Sequence, residues 1–454
     1  MEAYKFNTDE QAADRIKVVN ELLESGRIEE TRQLLKDMHP AEIAHLLQSL
    51  PRERREIVWD LVDPRFDGDV LLHVNEDVRS AFIRDMDASE LVSAAENLDT
   101  DDLADIFQDL PEEVGDQLLD AMSSQDRARL QAVLSYPEDT AGGLMNTDTV
   151  SIRPDVTFDV VLRYLRLRGS LPETTDSLFV VDRQDRFLGL LPITDLLVRP
   201  PETRVSAAMK THVEAIPATM SAHEVAAIFE RRDLVSAPVV DEDNRLLGRI
   251  TIDDVVDVIR EEADRSFMNM AGLNEEEDMF APVVTTARRR GVWLGVNLLT
   301  ALLASWVISL FDQTIERLVA LAVLMPIVAS MGGIAGSQTL TIVIRGIALG
   351  HISKENASRL LAKEVAVGVL NGLMWAVIIG AVTWFWIGGV ELAVIIGLAI
   401  IANLLVAAFF GATIPLILKK LGADPALGGS VLLTTVTDVV GFLAFLGLAT
   451  ALLL

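Results

Sequence analysis

PALGGSVLLTTVTDVVGFLAFLGLATALLL, residues 425–454, runs for thirty residues with a single charge, Asp438. A helix rising 1.5 Å per residue needs about 20 consecutive apolar residues to cross the hydrocarbon core of a bilayer. The stretch therefore predicts a membrane span with a carboxylate near its middle, where inserting an acid costs roughly 2.5–3.5 kcal/mol. Such a residue is either a hydrogen-bonded acid joining helices or a ligand on an ion path.

Four more uncharged intervals of span length precede it, at 291–311, 318–344, 365–390 and 392–418. No Lys or Arg lies inside any of the five, so nothing within them neutralises Asp438, which favours a cation from solution. None contains a His or Glu that would make a proton relay easy to draw. The connections alternate in charge. Arg288, Arg289 and Arg290 precede the first span, Arg345, Lys354, Arg359 and Lys363 lie between the second and third, and Lys419 and Lys420 between the fourth and fifth. The opposite loops carry only Arg317. Cationic loops stay on the cytoplasmic side, so the N-terminal part is expected inside the cell and the C-terminus outside, in a multi-pass protein of the inner (plasma) membrane. MPIVASMGGIAGSQTLTIVIRG, in the second span, combines Pro326, Gly332, Gly333 and Gly336 with Ser337, Gln338 and Thr339. It predicts either irregular backbone lining a cavity or close packing of small residues.

The formal net charge is −28, yet from Arg288 onward seven acids face ten Lys and Arg, so the acidic excess lies wholly in the first 287 residues. A part so acidic repels itself unless cations screen it, and divalent cations are a more natural partner than nucleic acid; solubility is the alternative reason for the charge. The absence of cysteine excludes disulfides and thiolate metal sites. MEAYKFNTDEQAADRIK at the N-terminus lacks the apolar core of a signal peptide.

Residues 1–138 read as short amphipathic helices in a degenerate repeat, as in LLKDMHPAEIAHLLQSLP and FIRDMDASELVSAAENLD, each opening after Pro, Ser, Thr or Asp. Such a pattern predicts stacked helical hairpins in a small superhelix. From SYPEDTAGGLM, residues 135–145, the pattern becomes strand and helix, with one order of elements used twice: VSIRPDVTFDVVLRYLRLRG with SLFVVDRQDRFLGLLPITDLL, then VEAIPATMSAHEVAAIFERRD with SAPVVDEDNRLLGRITIDDVV. The tandem is similar to a pair of CBS domains, at 139–202 and 203–262. Gly248, Thr251 and Asp254 match the usual ending of that domain, whereas the first copy has Gly189 and Asp195 but Pro192 at the hydroxyl position.

A helical superhelix, a CBS pair, a connecting helix over 263–287 and a five-span domain over 288–454 together resemble the MgtE family of magnesium transporters. SYPEDTAGGLM, MGGIAGSQT at 331–339 and TTVTDVVGFLAFLGLAT at 434–450 carry the resemblance most specifically. It implies a multi-domain membrane fold with an all-α superhelix, an α/β CBS pair and a five-helix pore domain. It also implies a homodimeric Mg2+-selective channel in the lipid bilayer, with the pore between subunits, closed by intracellular Mg2+ bound among acidic cytosolic domains. Asp438 takes the place of the family's pore carboxylate, with Thr434 one turn before it as a backbone contributor. Two copies of Asp438 would offer a hydrated Mg2+ two carboxylates across a two-fold axis, matching an ion that keeps its waters. Ile334 and Ser337 stand where the family often has Asn.

The resemblance assigns sensing of Mg2+ to Asp101, Asp254, Asp257 and Glu262. Asp101 and Asp105 are four apart on one helical face of TDDLADIF, with Asp102 adjacent; Asp254 and Asp257 share a face of TIDDVVDVIREEADR, and Glu261 extends its acidic run. One acid of the family's pattern falls on Arg265, so that at least one sensor site is either altered or shifted to Asp264. The resemblance to CBS pairs further implies an adenylate in the cleft between the repeats, with Thr251 and Asp254 in ribose and phosphate contact. ATP is thus a candidate modulator, and the absence of a P-loop argues against hydrolysis and enzymatic activity. Two other functions remain open: a less selective carrier of Co2+, Mn2+ or Ni2+, and a membrane-anchored regulator whose CBS pair reads adenylates.

Overall fold

The computed structural model describes residues 9–95, 98–108, 110, 112–172, 174–273, 277–353 and 355–453; residues 1–8 and the loop cation Lys354 lie outside these. The chain forms two compact units, Met1–Ala263 with Glu276–Ala281, and Asp264–Glu275 with Pro282–Leu454.

Unit one begins with short helices: α1 (Asp9–Glu24), α2 (Ile28–Lys36), α3 (Pro40–Gln48), α4 (Arg52–Trp59), α5 (Asp67–His73), α6 (Glu76–Asp85), α7 (Ala88–Ala95), α8 (Thr100–Gln108), α9 (Glu112–Ala121) and α10 (Ser124–Leu134). Local capping sets their starts. His39 accepts from the Ala41 amide while Glu42 accepts from the His39 amide, closing a capping box ahead of Pro40. Asn75 caps α6 through the Val78 amide, and Ser123 caps α10 through the Asp126 amide. Leu35, Ile43, Leu47, Leu50, Val58 and Val70 pack into the first core, where Trp59 stacks on Phe82 with centroids 4.3 Å apart.

Two three-stranded sheets follow, built on one plan. In the first, β1 (Ser151–Ile152) is parallel to β2 (Ser177–Val181), which is antiparallel to β3 (Phe187–Pro192). In the second, β4 (Ile216–Pro217), β5 (Ser236–Val240) and β6 (Leu246–Thr251) repeat that order. Even the local irregularity recurs, since both hairpins shift register at the equivalent step, Val180/Val181 and Val239/Val240. Asp182 and Asp241 each accept two amides in the following turn, the short-range bonding that makes Asp-rich dipeptides good hairpin turns. The helices α11 (Phe158–Arg168), α12 (Ile193–Val198), α13 (Val205–Ala208) and α14 (Ala222–Arg232) cover the sheets. A second core does not respect the change of pattern: Leu103, Leu118, Leu130 and Val133 of α8–α10 are buried with Ile216, Phe229, Val239 and Val255. The last turns of the superhelix thus fold onto the second sheet.

The connection expected as a helix over 263–287 is divided. Helix α15 runs Ile252–Met270 and stops where Gly272 takes φ +70 and the Leu273 amide returns to the Met268 carbonyl. Further on, Asp278 is buried in unit one and accepts from the Phe280 amide, before Pro282 caps the first long helix.

Unit two holds that helix, α16 (Val283–Ser309), a short α17 (Asp312–Arg317), and α18 (Ala320–Ala348), α19 (Ala357–Trp386), α20 (Val390–Lys420) and α21 (Pro425–Leu453). The five long helices have 27 to 31 residues, enough to cross a bilayer. Helices α18, α20 and α21 enclose two apolar clusters, one around Leu324, Val328, Ile396 and Phe445, the other around Leu340, Ile414 and Leu433. Helix α18 is continuous across its glycines, so the irregular-backbone reading of the second span gives way to close packing. A β-carbon on Gly332 would lie 2.2 Å from Asn403 Nδ2 of α20, and one on Gly336 would lie 2.9 Å from Leu433 Cδ2 of α21.

Candidate functional site

Helices α8 and α15 bring acids from distant parts of the chain together. Asp101, Asp102 and Asp105 come from α8, and Asp254 from the first turn of α15. The Thr251 amide and hydroxyl donate to Asp254 Oδ2 at 3.1 and 3.0 Å, which holds one carboxylate oxygen at the helix start. Asp101 is 8 % exposed, and its Oδ1 is buried with no hydrogen-bond partner among the described residues. Burial, then Asp254 and Asp102, holds the Asp101 carboxyl well above its ordinary range. Asp102 is pushed up to about 7 by burial and by Asp254, and Asp105 to about 7 by burial and by Glu138, with Arg79 opposing. Asp254 rises to about 6 through burial, although the Thr251 amide works against it.

These buried acids act on one another's charge and concentrate a repulsion that a cation relieves, although among the described residues no three His, Asp or Glu side chains are grouped closely enough to hold a metal ion between them. The apolar contacts of Leu103, Leu118 and Leu130 keep the helices together meanwhile: each such burial contributes about 1.5–3 kcal/mol, against about 1–4 kcal/mol for a like-charge pair at 4 Å in effective dielectrics of 80 to 20.

The structure brings Asp101 and Asp254 within reach of each other's charge, with Asp105 acted on by Asp254 more weakly, while Asp257 acts on both Asp254 and His73. Glu262 instead lies 2.7 Å from His223 Nδ1, with both side chains exposed. Glu138, within SYPEDTAGGLM, and Glu261 both act on Asp105, and the pattern of that motif gives no sign of it.

In unit two, Asp438 is half-buried on α21, and among the described residues no ion pair or side-chain hydrogen bond reaches it. Thr434, one turn earlier, is exposed on the single chain, as are Ile334, Ser337 and Gln338 of α18. The carbonyl of Thr434, expected as an ion contact, already accepts the Thr437 hydroxyl at 3.1 Å in an unbroken helix. Glu364 corrects the expectation that no span holds a glutamate. Helix α19 begins two turns before the uncharged interval at 365, so Glu364 lies within it, 3 % exposed, with Lys363 Nζ at 2.7 Å and the Thr339 hydroxyl at 3.4 Å.

Comparison with known proteins finds three families along the chain. Residues 38–139 match the family described as the MgtE intracellular N domain, residues 141–201 and 205–261 match CBS domains, and residues 325–448 match the family described as divalent cation transporter. These parts, joined to five apolar helices, define a multi-pass membrane transporter of divalent cations. The magnesium transporter MgtE of Thermus thermophilus is 32% identical over 441 residues, 96% of this chain and 98% of its own length. That of Bacillus subtilis is 29% identical over 430 residues, 95% of each chain. The chain belongs to the MgtE family of magnesium transporters. Among solved structures, the cytosolic domain of the Mg2+ channel MgtE in complex with ATP is 33% identical, covering 54% of this chain and 99% of that one at a TM-score of 0.49.

Proposed function

We propose that this chain is a Mg2+-selective channel of the inner membrane, that two copies pair around Asp438, and that intracellular Mg2+ held by the aspartates of unit one closes it. The observation that carries closure is the buried, partnerless Oδ1 of Asp101 among Asp102, Asp105 and Asp254. Carboxylate oxygens are the donors a hard divalent ion prefers, and the cluster has no imidazole to favour a softer metal. A Mg2+ ion here supplies the positive charge that the four acids lack.

With that charge present, α8 and α15 stay closed on their shared apolar core. Without it, Asp101, Asp102 and Asp254 repel one another and the helices separate. Asp254 sits in the first turn of α15, which continues as one helix to Met270. A displacement of its start therefore moves that helix as far as Met270. For permeation, Asp438 presents its carboxylate from a face that a single chain leaves open. The Thr434 carbonyl is already bonded, so the carboxylate carries the contact. Cationic loops favour a cytoplasmic N-terminal unit and an external C-terminus.

An adenine nucleotide takes a secondary, non-hydrolysed place at the start of α15, where Thr251 and Asp254 lie. Its phosphates gain from the helix N-terminus but face Asp101 and Asp102, so nucleotide and Mg2+ should bind together. The alternative of a less selective carrier of Co2+, Mn2+ or Ni2+ predicts comparable uptake of those ions. The alternative of an adenylate-reading regulator predicts no flux.

Liposomes carrying the purified chain should admit Mg2+, and Asp438→Ala should abolish the uptake; flux unaffected by that change would sink the pore assignment. Deletion of residues 1–138 should leave a channel conducting at high internal Mg2+.

A further inference from the structure

Asn403 is the one amide in the uncharged stretch 392–418, and it is fully buried on α20. Its Nδ2 donates to the Val328 carbonyl of α18 at 2.8 Å, an assignment that geometry requires, since the flipped amide would set two acceptors against each other. Its Oδ1 is buried and has no hydrogen-bond partner among the described residues. The amide fills space left by two glycines on two other helices: a β-carbon on Gly332 of α18 would lie 2.2 Å from Nδ2, and one on Gly441 of α21 would lie 2.7 Å from it. Gly441 follows Asp438 by three residues, so this amide touches α21 within about 4.5 Å, along the helix axis, of the acid.

The wedge lies between two of the unit's apolar clusters, one reaching Val328 and Phe445, the other Leu340 and Leu433. Stability does not account for it. One hydrogen bond between membrane helices contributes little, and a buried acceptor without a partner costs more than that bond contributes. A leucine of the same branching would fill the space without the orphaned oxygen. What the amide does supply is registry, because a polar group bonded at one backbone carbonyl and flanked by two glycines fixes depth and rotation of three helices at once.

We propose that Asn403 is a positioning residue for Mg2+ passage, holding the turn of α21 that carries Asp438 against the glycine-rich segment of α18. This rests on the reading of Asp438 as the pore carboxylate. The test uses the full chain in liposomes, with Mg2+ and Ca2+ uptake measured over a concentration series and thermal unfolding measured in detergent. Asn403→Leu should unfold at the wild-type temperature or above. It should nevertheless raise the half-saturating Mg2+ concentration, or lower the preference for Mg2+ over Ca2+, by about tenfold, since a displacement near 1 Å can cost up to about a hundredfold at a reacting or binding centre. Unchanged half-saturation and preference would overturn the proposal, whatever the unfolding temperature.

Should Asn403→Leu not fold, Gly332→Ala with Asn403→Ala removes the amide and fills part of its space, and the same two outcomes apply. Asp438→Ala separates the two readings. Uptake that survives it defeats the pore assignment and this inference with it. Uptake abolished by Asp438→Ala but untouched by either Asn403 variant defeats the positioning role alone.

Discussion

Thr251 gives both its amide and its hydroxyl to one oxygen of Asp254, Oδ2, and the carboxylate so held raises the carboxyls of Asp101 and Asp102 on α8 by its charge. The residue that starts α15 therefore also orients the acid that meets α8. Thr251→Val keeps the amide bond but loses the hydroxyl, a helix-start loss of about 1 kcal/mol. The internal Mg2+ concentration that half-closes the channel should rise about fivefold by the usual conversion of about 1.4 kcal/mol per decade. Uptake assayed in vesicles preloaded with graded Mg2+ reads this directly, and an unmoved midpoint would exclude Asp254 from closure.

Asp101→Asn removes one of four crowded acids while keeping the side chain's shape. In the full-length protein in detergent, chelation of Mg2+ should speed proteolysis of the wild type between α8 and α15. The variant should resist digestion better than wild type under chelation, since a lost like-charge contact is worth about 1–4 kcal/mol at 4 Å, and added Mg2+ should protect it less. Equal digestion of the two proteins with and without Mg2+ would remove the cluster from consideration.

Asp67, at the start of α5, is raised to about 6 by burial and by Glu90 and Asp63. A carboxyl whose folded pKa exceeds its unfolded value of 3.8 is neutral and harmless at low pH, and its ionisation weakens the fold as pH rises from about 4 through 6. Asp67→Asn should therefore raise the melting temperature at pH 7.5 and leave it nearly unchanged at pH 4. The shift sets an upper limit of about 3 kcal/mol, and partial solvent access reduces the expected gain to about 1–2 kcal/mol. A gain of equal size at both pH values would show that the acid is not the cause.

Arg55 grips both carboxylate oxygens of Asp278 at 2.8 and 2.9 Å, and also donates to the Leu47 and Leu50 carbonyls. Both residues are buried, at 4 % and 9 % exposure. Arg55→Ala should cost about 3–5 kcal/mol of stability by stranding the acid, whereas Arg55→Met with Asp278→Leu should cost far less. Thermal unfolding of Arg55→Met, Asp278→Leu and the double variant gives the coupling between the two residues; additive effects would mean that the pair is not a unit.

The five spans are legible because charge spacing alone marks them, and the strand pairs because one order of elements recurs with its Asp turn. The ends of α15 are not, since its termination depends on Gly272 and its start on Thr251, single residues at either side of a long acidic run. Helical spacing pairs Asp101 with Asp105, but the approach of Glu138 to Asp105 needs the fold, because thirty-three positions separate the two acids. Glu364 escapes a reading based on uncharged intervals, because a charge at the end of a helix and a charge in a loop look alike in the sequence. Asn403 is different: a lone amide in the 27 uncharged residues of 392–418 is visible at once. What no pattern shows is that Gly332 and Gly441 make room for it.

The return of residues 276–281 to the first unit has a consequence for how such a chain can be cut or recombined. A polypeptide that leaves a folded body and then comes back to it has no single seam. A fragment ending at Ala263 would expose the Arg55 guanidinium to an empty berth, and a fusion made between 264 and 275 would deprive it of Asp278 in the same way. Exchange of sensory parts among relatives should therefore succeed only at junctions after Ala281, where inheritance of the linker keeps donor and acceptor in one lineage.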